Sequence, residues 1–382
     1  MVAARVSIWR LLKLVLRARR TPLWVELKPL LRDQLRTGFV GEPALFGGVS
    51  GNGNGNPPPP ALFQLASGYW VSQAVYVVAK LGIADFLANG PRTSHELAVL
   101  ADVKAEALFR VMRALSSVGV FRNPRADQFE LAPLGNHLRS GVAGSLRSMI
   151  VTLGEIHYQA CGQLLQSVQT GLPAFNNVFG SSLFDYLAGN PAASTAFNQG
   201  MTNLASMLAY AVAIAYDFTG ISNVVDIGGG QGKFLGNLLE LNAAMQGTVF
   251  DMPSAIQMAD RHERCSYCSG TFFDADSLPK GADAYFLCGI VHDWDDERAA
   301  AILANCRKAM PKHGRLLLVE MVVPEDNASS FSKILDLNML VMNGGRERTE
   351  KEFRSLLERS GCKLSRIIPT VAPQSIVEAT AM

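Results

Sequence analysis

The stretch "VVDIGGGQGKF", residues 224–234, sets Gly228, Gly229, Gly230 and Gly232 between an acidic residue and an apolar run. Glycine enters positive φ freely and lets a ligand lie close to the main chain, at an entropic cost that a plain loop has no reason to carry. Residues 223–227 before it read as a short buried strand. Residues 233–241 after it read as a helix with Phe234, Leu235, Leu238, Leu239 and Leu241 as its apolar positions. Strand, glycine turn, helix is the opening of a nucleotide-binding α/β unit. From residue 222 onward "NVVDI", "GTVFDM", "GTFF", "AYFLCGIV", "RLLLVEMVV", "KLSRIIPT" and "SIVEAT" are strand candidates, with helical runs at Glu297–Met310 and Thr349–Ser360 between them. That alternation predicts a doubly wound α/β domain over residues 216–382.

The glycine spacing narrows the ligand. A dinucleotide fingerprint places its third glycine three residues after the second, where this chain has Lys233, and the phosphate-loop pattern GxxxxGK[ST] is absent. An adenosyl ligand without a pyrophosphate, S-adenosylmethionine, fits better. Its amino-acid end would lie on the main chain of Gly228, Gly230 and Gly232, with Asp226 holding the ammonium directly or through water. Asp251, 25 residues after Asp226 at the end of "TVFD", is placed to receive the ribose hydroxyls.

Residues 1–60 and 61–215 read differently. "SIWRLLKLVL" is interrupted by Arg10 and Lys13, so it makes neither a membrane span nor a secretory signal. Residues 5–20 predict a basic amphipathic helix, either an accessory helix or a membrane-surface or partner contact for residues 1–40. The Gly/Asn/Pro tract 47–60 reads as a linker. Residues 1–40 carry nine Lys and Arg against Glu26 and Asp33, a net +7, which leaves −5 for the rest of a chain whose total is +2. An acidic body argues against nucleic acid as the main partner. Six cysteines with one CxxC, Cys265 and Cys268, and no second pair read as reduced thiols in a cytoplasmic protein.

"LFQLASGYWVSQAVYVVAKLGIADFL" has apolar residues on nearly every face and predicts a helix buried in a domain or in a subunit interface. Beyond it lie a helix capped by Thr93 or Ser94, a helix from Lys104, and a hairpin turning at Asn123–Asp127, a winged-helix outline. A DNA-reading helix needs outward bases, and only Lys104, Arg110 and Arg113 are available. A structural, dimer-forming role is therefore expected.

The chemistry centres on "FLCGIVHDWDDERAAAIL". A strand is expected to end near Val291, which puts His292 at the carboxyl edge of the sheet, where ligands of such sheets bind. Methyl transfer to a phenol needs a base, because a phenol titrates near about 10 whereas imidazole, near about 6.5, is mostly free base at neutral pH. The ring's other nitrogen needs an acceptor, and both Glu320 and Glu347 are candidates.

With these residues in view the chain resembles the S-adenosylmethionine-dependent small-molecule O-methyltransferases of the caffeic-acid and hydroxyindole type. The likeness runs from about residue 61 to 379 through "TGLPAFNNVFGSSLFDYL", "VVDIGGGQGKF", "VFDMP", "HDWDDERAAAILANCRKAMPKHGRLLLVE" and "LDLNMLVMNGGRERTEKEFRSLLERSGCKL". The resemblance implies a class I methyltransferase sheet behind a winged-helix dimerisation region, and a homodimer whose first helices reach the partner's active site. It implies His292 as proton acceptor flanked by Glu320 and Glu347, Gly228 against the cofactor and Asp251 on its ribose. Phe175, Phe179, Met201, Asn338, Met339 and Met342 would lie near cofactor or acceptor. Transfer to a phenolic or hydroxylated aromatic acceptor would be a direct displacement with no metal.

Two positions depart from the family. Where members carry an acidic residue and an aromatic beside adenine, this chain has Thr271 and Phe272, and Cys288 and Gly289 stand where many carry a Lys or Arg. The departures bear on adenine recognition. Two other readings remain: the same fold turned to decarboxylation or hydroxylation, and a winged-helix regulator that senses the cofactor. The joint presence of His292, Glu320 and Glu347 argues against the first, and the scarcity of bases against the second.

Overall fold

The computed structural model describes residues 59–259 and 261–382. The basic helix expected at 5–20, the linker at 47–58 and the surface contact expected of residues 1–40 lie outside them. The chain divides into two units, one of residues 59–169 with 174–204 and the other of residues 170–173 with 205–382.

In the first unit, α1 (Pro59–Ser67) and α2 (Tyr69–Leu81) replace the single helix expected there. The chain breaks at Gly68 and again at Gly82, whose φ of 70° is left-handed. Val78 and Ala79 are buried, but Leu62, Phe63, Tyr69 and Trp70 stay exposed in the single chain. β1 (Arg92–Thr93) leads into α3 (Ser94–Ala101), which Thr93 and Glu96 close with a capping box. α4 (Ala105–Ser117), β2 (Phe121–Arg125) and β3 (Gln128–Leu131) complete the winged-helix outline, with sheet order β1-β3-β2. β2 runs through Pro124, beyond the expected start of the turn, which an edge strand tolerates. Leu97, Leu108, Met112, Leu115, Phe121 and Phe129 form this unit's core. α5 (Pro191–Ala215) runs past the unit boundary, and its Ala209, Val212 and Ala213 pack into a core of the second unit.

The second unit is built on a seven-stranded sheet of order β11-β12-β8-β7-β4-β5-β6. Its strands are β4 (Asn223–Ile227), β5 (Gln246–Asp251), β6 (Cys265–Ser269), β7 (Ala284–Cys288), β8 (Arg315–Glu320), β11 (Cys362–Pro369) and β12 (Ser375–Ala381). β4 to β8 run parallel, while β12 pairs antiparallel with both β8 and β11. Both faces are covered, so alternate residues of one strand enter different cores. Val224, Phe286 and Leu317 pack with Leu235 and Leu238 of α6 (Lys233–Leu241). Val225, Leu287 and Leu318 pack with Ile302 and Leu303 of α7 (Asp296–Ala309) and Phe353 of α9 (Glu350–Arg359). This is why the parallel strands read as continuous apolar runs. Between α7 and α9 lie a short parallel pair, β9 (Val322–Val323) and β10 (Arg348–Thr349), and α8 (Phe331–Met342). Successive strands step outward from β4 to β5 and β6, then return to β7 on its other side. The crevice at that reversal, at the carboxyl ends of β4 and β7, is where such sheets bind ligands.

Two expected strands move. "GTFF" is a turn rather than a strand: Gly270 N donates to Asp251 O at 3.0 Å, and Asp274 N to Thr271 O at 3.0 Å, which curls the chain away from the sheet. The strand is the preceding Cys265–Ser269, held by its register with β5. β7 ends at Cys288 rather than near Val291, because Gly289, at φ 62°, turns the chain out of the sheet.

Candidate active site

The turn after β4 puts Gly228, Gly230 and Gly232 at φ 70°, 57° and 81°, the left-handed region. At two of its positions a side chain would have to displace a neighbour. A Cβ on Gly228 would stand 2.4 Å from Ile290 Cδ1, and one on Gly229 2.6 Å from Asp226 Oδ2. A Cβ on Gly230 would meet nothing within 4 Å, so that amide borders open space.

Asp226 lies under this turn, buried, and its Oδ2 has no hydrogen-bond partner. Burial, and then repulsion from Asp251, pushes its carboxyl up to about 8. Asp251 closes β5 and turns toward the same loop, its Oδ2 accepting from Gly230 N at 2.7 Å and its Oδ1 from Met252 N at 2.6 Å. Burial raises its pKa against the pull of those two N–H groups. A buried carboxylate oxygen with no donor is costly. An ammonium would supply both the donor and the charge, so the donor set fits the amino-acid end of the expected cofactor.

The second cluster lies beyond β7. Val291–Asp293 form one 3₁₀ turn that carries His292. His292 Nδ1 meets Glu347 Oε1 at 2.7 Å, whereas Glu320 Oε2 stands 3.8 Å from the same nitrogen. Of the two candidate acceptors, Glu347 therefore takes the ring. Glu320, at the end of β8, holds the turn instead: its Oε1 accepts from Ile290 N at 3.1 Å and Val291 N at 2.8 Å. Nε2 of His292 has no hydrogen-bond partner among the described residues, with Asp293 Oδ1 the nearby charge at 3.8 Å.

The carboxylates around the ring favour its charged form over the mostly neutral imidazole that the ordinary value implies. Burial favours the neutral ring, but Glu320, the Glu347 hydrogen bond and Asp293 outweigh it and raise its pKa to about 10. Burial lifts Glu320 to about 7, with His292 pulling it down and Glu347 pushing it up. Asp293 is raised by its burial and accepts from Asn343 Nδ2 at 2.7 Å.

The remaining expected residues divide between the units. Thr271 and Phe272 lie in the turn after β6, and Phe272 packs edge-on to Trp294 with centroids 5.8 Å apart. Met339 and Met342 are buried on α8, and Asn338 is half-buried there. In the other unit Phe175 is buried and stacks on Phe179 at 4.5 Å, and Met201 is 39% exposed. Three residues that sequence reasoning passed over shape the histidine cluster. Asn343 fixes Asp293, Asp336 accepts from Glu347 N at 2.8 Å, and Arg348 is a fully buried cation. The one available signal was "GG" before "RER": a Cβ on Gly345 would stand 2.0 Å from His292 O.

The family model of the O-methyltransferase domain matches residues 161–363, and that of the O-methyltransferase dimerisation domain matches residues 63–140. The chain is 43% identical to the phenazine O-methyltransferase PhzM of Lysobacter antibioticus, over 83% of this chain and 95% of that one. The crystal structure of LaPhzM superposes with a TM-score of 0.81 at 43% identity, covering 85% and 99% of the two chains. NcsB1, an O-methyltransferase from neocarzinostatin biosynthesis solved with S-adenosyl-L-homocysteine and 1,4-dihydroxy-2-naphthoic acid, superposes at 0.71 and is 32% identical, covering 86% and 100%. Among the described residues no helix is long and apolar enough to cross a membrane.

Proposed function

The chain belongs to the S-adenosylmethionine-dependent O-methyltransferases, and on that premise we propose that it methylates a hydroxyl of an aromatic small molecule with His292 as the proton acceptor. The observation that carries this reading is the 2.7 Å contact of His292 Nδ1 with buried Glu347, which leaves Nε2 as the ring's working nitrogen.

When bound, S-adenosylmethionine supplies a methyl carbon made electrophilic by its sulfonium. The chain's residues do the rest. Asp226 would hold the ammonium, the Gly228–Gly232 main chain would back the amino-acid portion, and Asp251 would accept from the ribose hydroxyls. Thr271 and Phe272 would border the adenine end, and Asn338, Met339 and Met342 would lie near cofactor or acceptor. Glu347 holds the ring in one orientation and favours its charged form. Nε2 accepts in the fraction of enzyme whose ring is neutral. There the surrounding carboxylates bring its basicity close to a phenol's, near about 10, so the proton passes from the acceptor hydroxyl to Nε2 with little uphill cost, and the rate rises with pH as that fraction grows. The oxygen then carries negative charge beside an imidazolium, in the state that attacks carbon. Asp293, 3.8 Å from Nε2, adds to that charge balance. The dimerisation domain supports a homodimer as the working form.

The relatives support an aromatic acceptor, and the first to try are hydroxyphenazines and hydroxynaphthoic acids. The test is transfer from labelled S-adenosylmethionine to such a panel, with aromatic amines as a control, by wild type and His292→Ala. A gain of one methyl on oxygen with wild type, and a rate lower by about 10²–10⁴ with the variant, is the expected result. Cofactor binding without transfer to any hydroxyl, or an equally fast variant, overturns the reading.

A further inference from the structure

We infer that Arg348 is the positioning residue of the catalytic histidine, a clamp that holds both sides of the His292–Glu347 pair; the inference rests on His292 acting as the base. Arg348 is 1% exposed, and each of its five N–H groups has an acceptor. Nη1 donates to Val291 O at 2.9 Å and Arg346 O at 3.3 Å. Nη2 donates to Trp294 O at 2.9 Å and Asp296 Oδ1 at 2.8 Å, and Nε donates to the same Asp296 oxygen at 3.0 Å. Val291 is the residue before His292 and Trp294 the second after it, so one planar group grips the 3₁₀ turn from both ends. Arg346 and Arg348 flank Glu347 in the chain, so the same group also fixes the segment that carries the ring's acceptor.

The two segments are drawn together elsewhere as well. Arg346 N donates to His292 O at 2.8 Å, and Gly345 leaves no room for a side chain against that carbonyl. Asp296 opens α7 and is 38% exposed at its side chain. Its charge pairs with the guanidinium, and through it the turn is tied to a helix packed on the sheet. The tie matters because the Nδ1–Oε1 distance of 2.7 Å is what orients the ring and holds its proton. A lysine has three donors on a flexible stem and cannot make the five bonds to these four acceptor oxygens. Nothing in this arrangement touches Asp226 or Asp251, so cofactor affinity and ring orientation are separable.

The test compares Arg348→Lys and Asp296→Ala with wild type in the full-length enzyme. Three quantities are read: affinity for S-adenosylmethionine, single-turnover rate against pH, and the Nδ1–H resonance of His292 in ¹⁵N-histidine-labelled protein. For Arg348→Lys the expected outcome is cofactor affinity within about twofold of wild type, a rate lower by about 10- to 100-fold, and loss of the far-downfield Nδ1–H signal. The rising limb of its rate–pH profile should also move to lower pH. Asp296→Ala removes two of the five bonds at a half-exposed side chain, and keeps the test alive if Arg348→Lys fails to fold. It should lose about tenfold in rate with the cofactor still bound. Unchanged rate, pH profile and resonance in a folded variant overturn the clamp. If His292→Ala is inactive while these variants behave as wild type, the clamp alone fails. If His292→Ala transfers methyl at the wild-type rate, the base assignment fails first.

Discussion

Asp226→Asn should make the cofactor-free enzyme more stable as the pH rises. Asp226 is buried with an unpartnered oxygen, and its carboxyl stands at about 8 against the ordinary aspartate value of 3.8. The folded pKa of this acid is raised, so between those values the folded chain holds a proton that the unfolded chain has released. Stability is then fully present below about pH 4 and is lost as pH rises through about 8. Within that window each pH unit removes about 1.4 kcal/mol, so the loss between pH 5 and pH 8.5 is up to about 4 kcal/mol. Asparagine carries no charge at either pH and escapes that loss. Titrating groups away from Asp226 are common to both proteins and cancel in the difference, and the repulsion between Asp226 and Asp251 is part of what the variant relieves. Urea unfolding of both proteins at pH 5 and pH 8.5, without cofactor, reads the quantity directly. The gap between variant and wild type should widen in the variant's favour by several kcal/mol. Parallel stability curves across that range would refute a buried carboxyl held above its usual pKa. The same variant should bind S-adenosylmethionine about 10- to 100-fold more weakly, because the partner for the ammonium is gone.

Glu347→Gln removes one of the charges that lift His292. The rising limb of kcat/KM against pH should move to lower pH, while the maximal rate falls by about tenfold or more; a limb that stays in place speaks against Glu347 as the ring's partner. Gly345→Ala introduces a Cβ 2.0 Å from His292 O, so transfer should fall by about 100-fold or more with cofactor affinity nearly kept, and wild-type kinetics would show that the turn has room to yield.

What the residues reveal by themselves is local. The strand at Asn223–Ile227 and the helix at Lys233–Leu241 fall on the expected residues, because apolar patterning and glycine chemistry act within about ten residues. "CSYCS" has no strand pattern of its own, and its place as β6 comes from pairing with β5, which no short window contains. The basicity of His292 departs from expectation for the same reason. The groups that raise it, Glu320 and Glu347, stand in other elements, and only the fold brings them to the ring. Which glutamate takes Nδ1 depends on a difference between 2.7 and 3.8 Å that no spacing rule resolves. Arg348 lies in an ordinary charged run, "RER", and its burial emerges only once β10 is laid beside β9.

The central claim is that His292 takes the acceptor's proton as the methyl group moves. It is tested most directly by single-turnover transfer to a series of phenols whose pKa values fall from about 10 to about 7, with wild type and His292→Ala. The variant's deficit should be large, about 10²–10⁴-fold, for the weakest acid and should shrink steadily toward the strongest, which already arrives ionised. A deficit of the same size for every phenol would contradict the claim and leave His292 a structural residue.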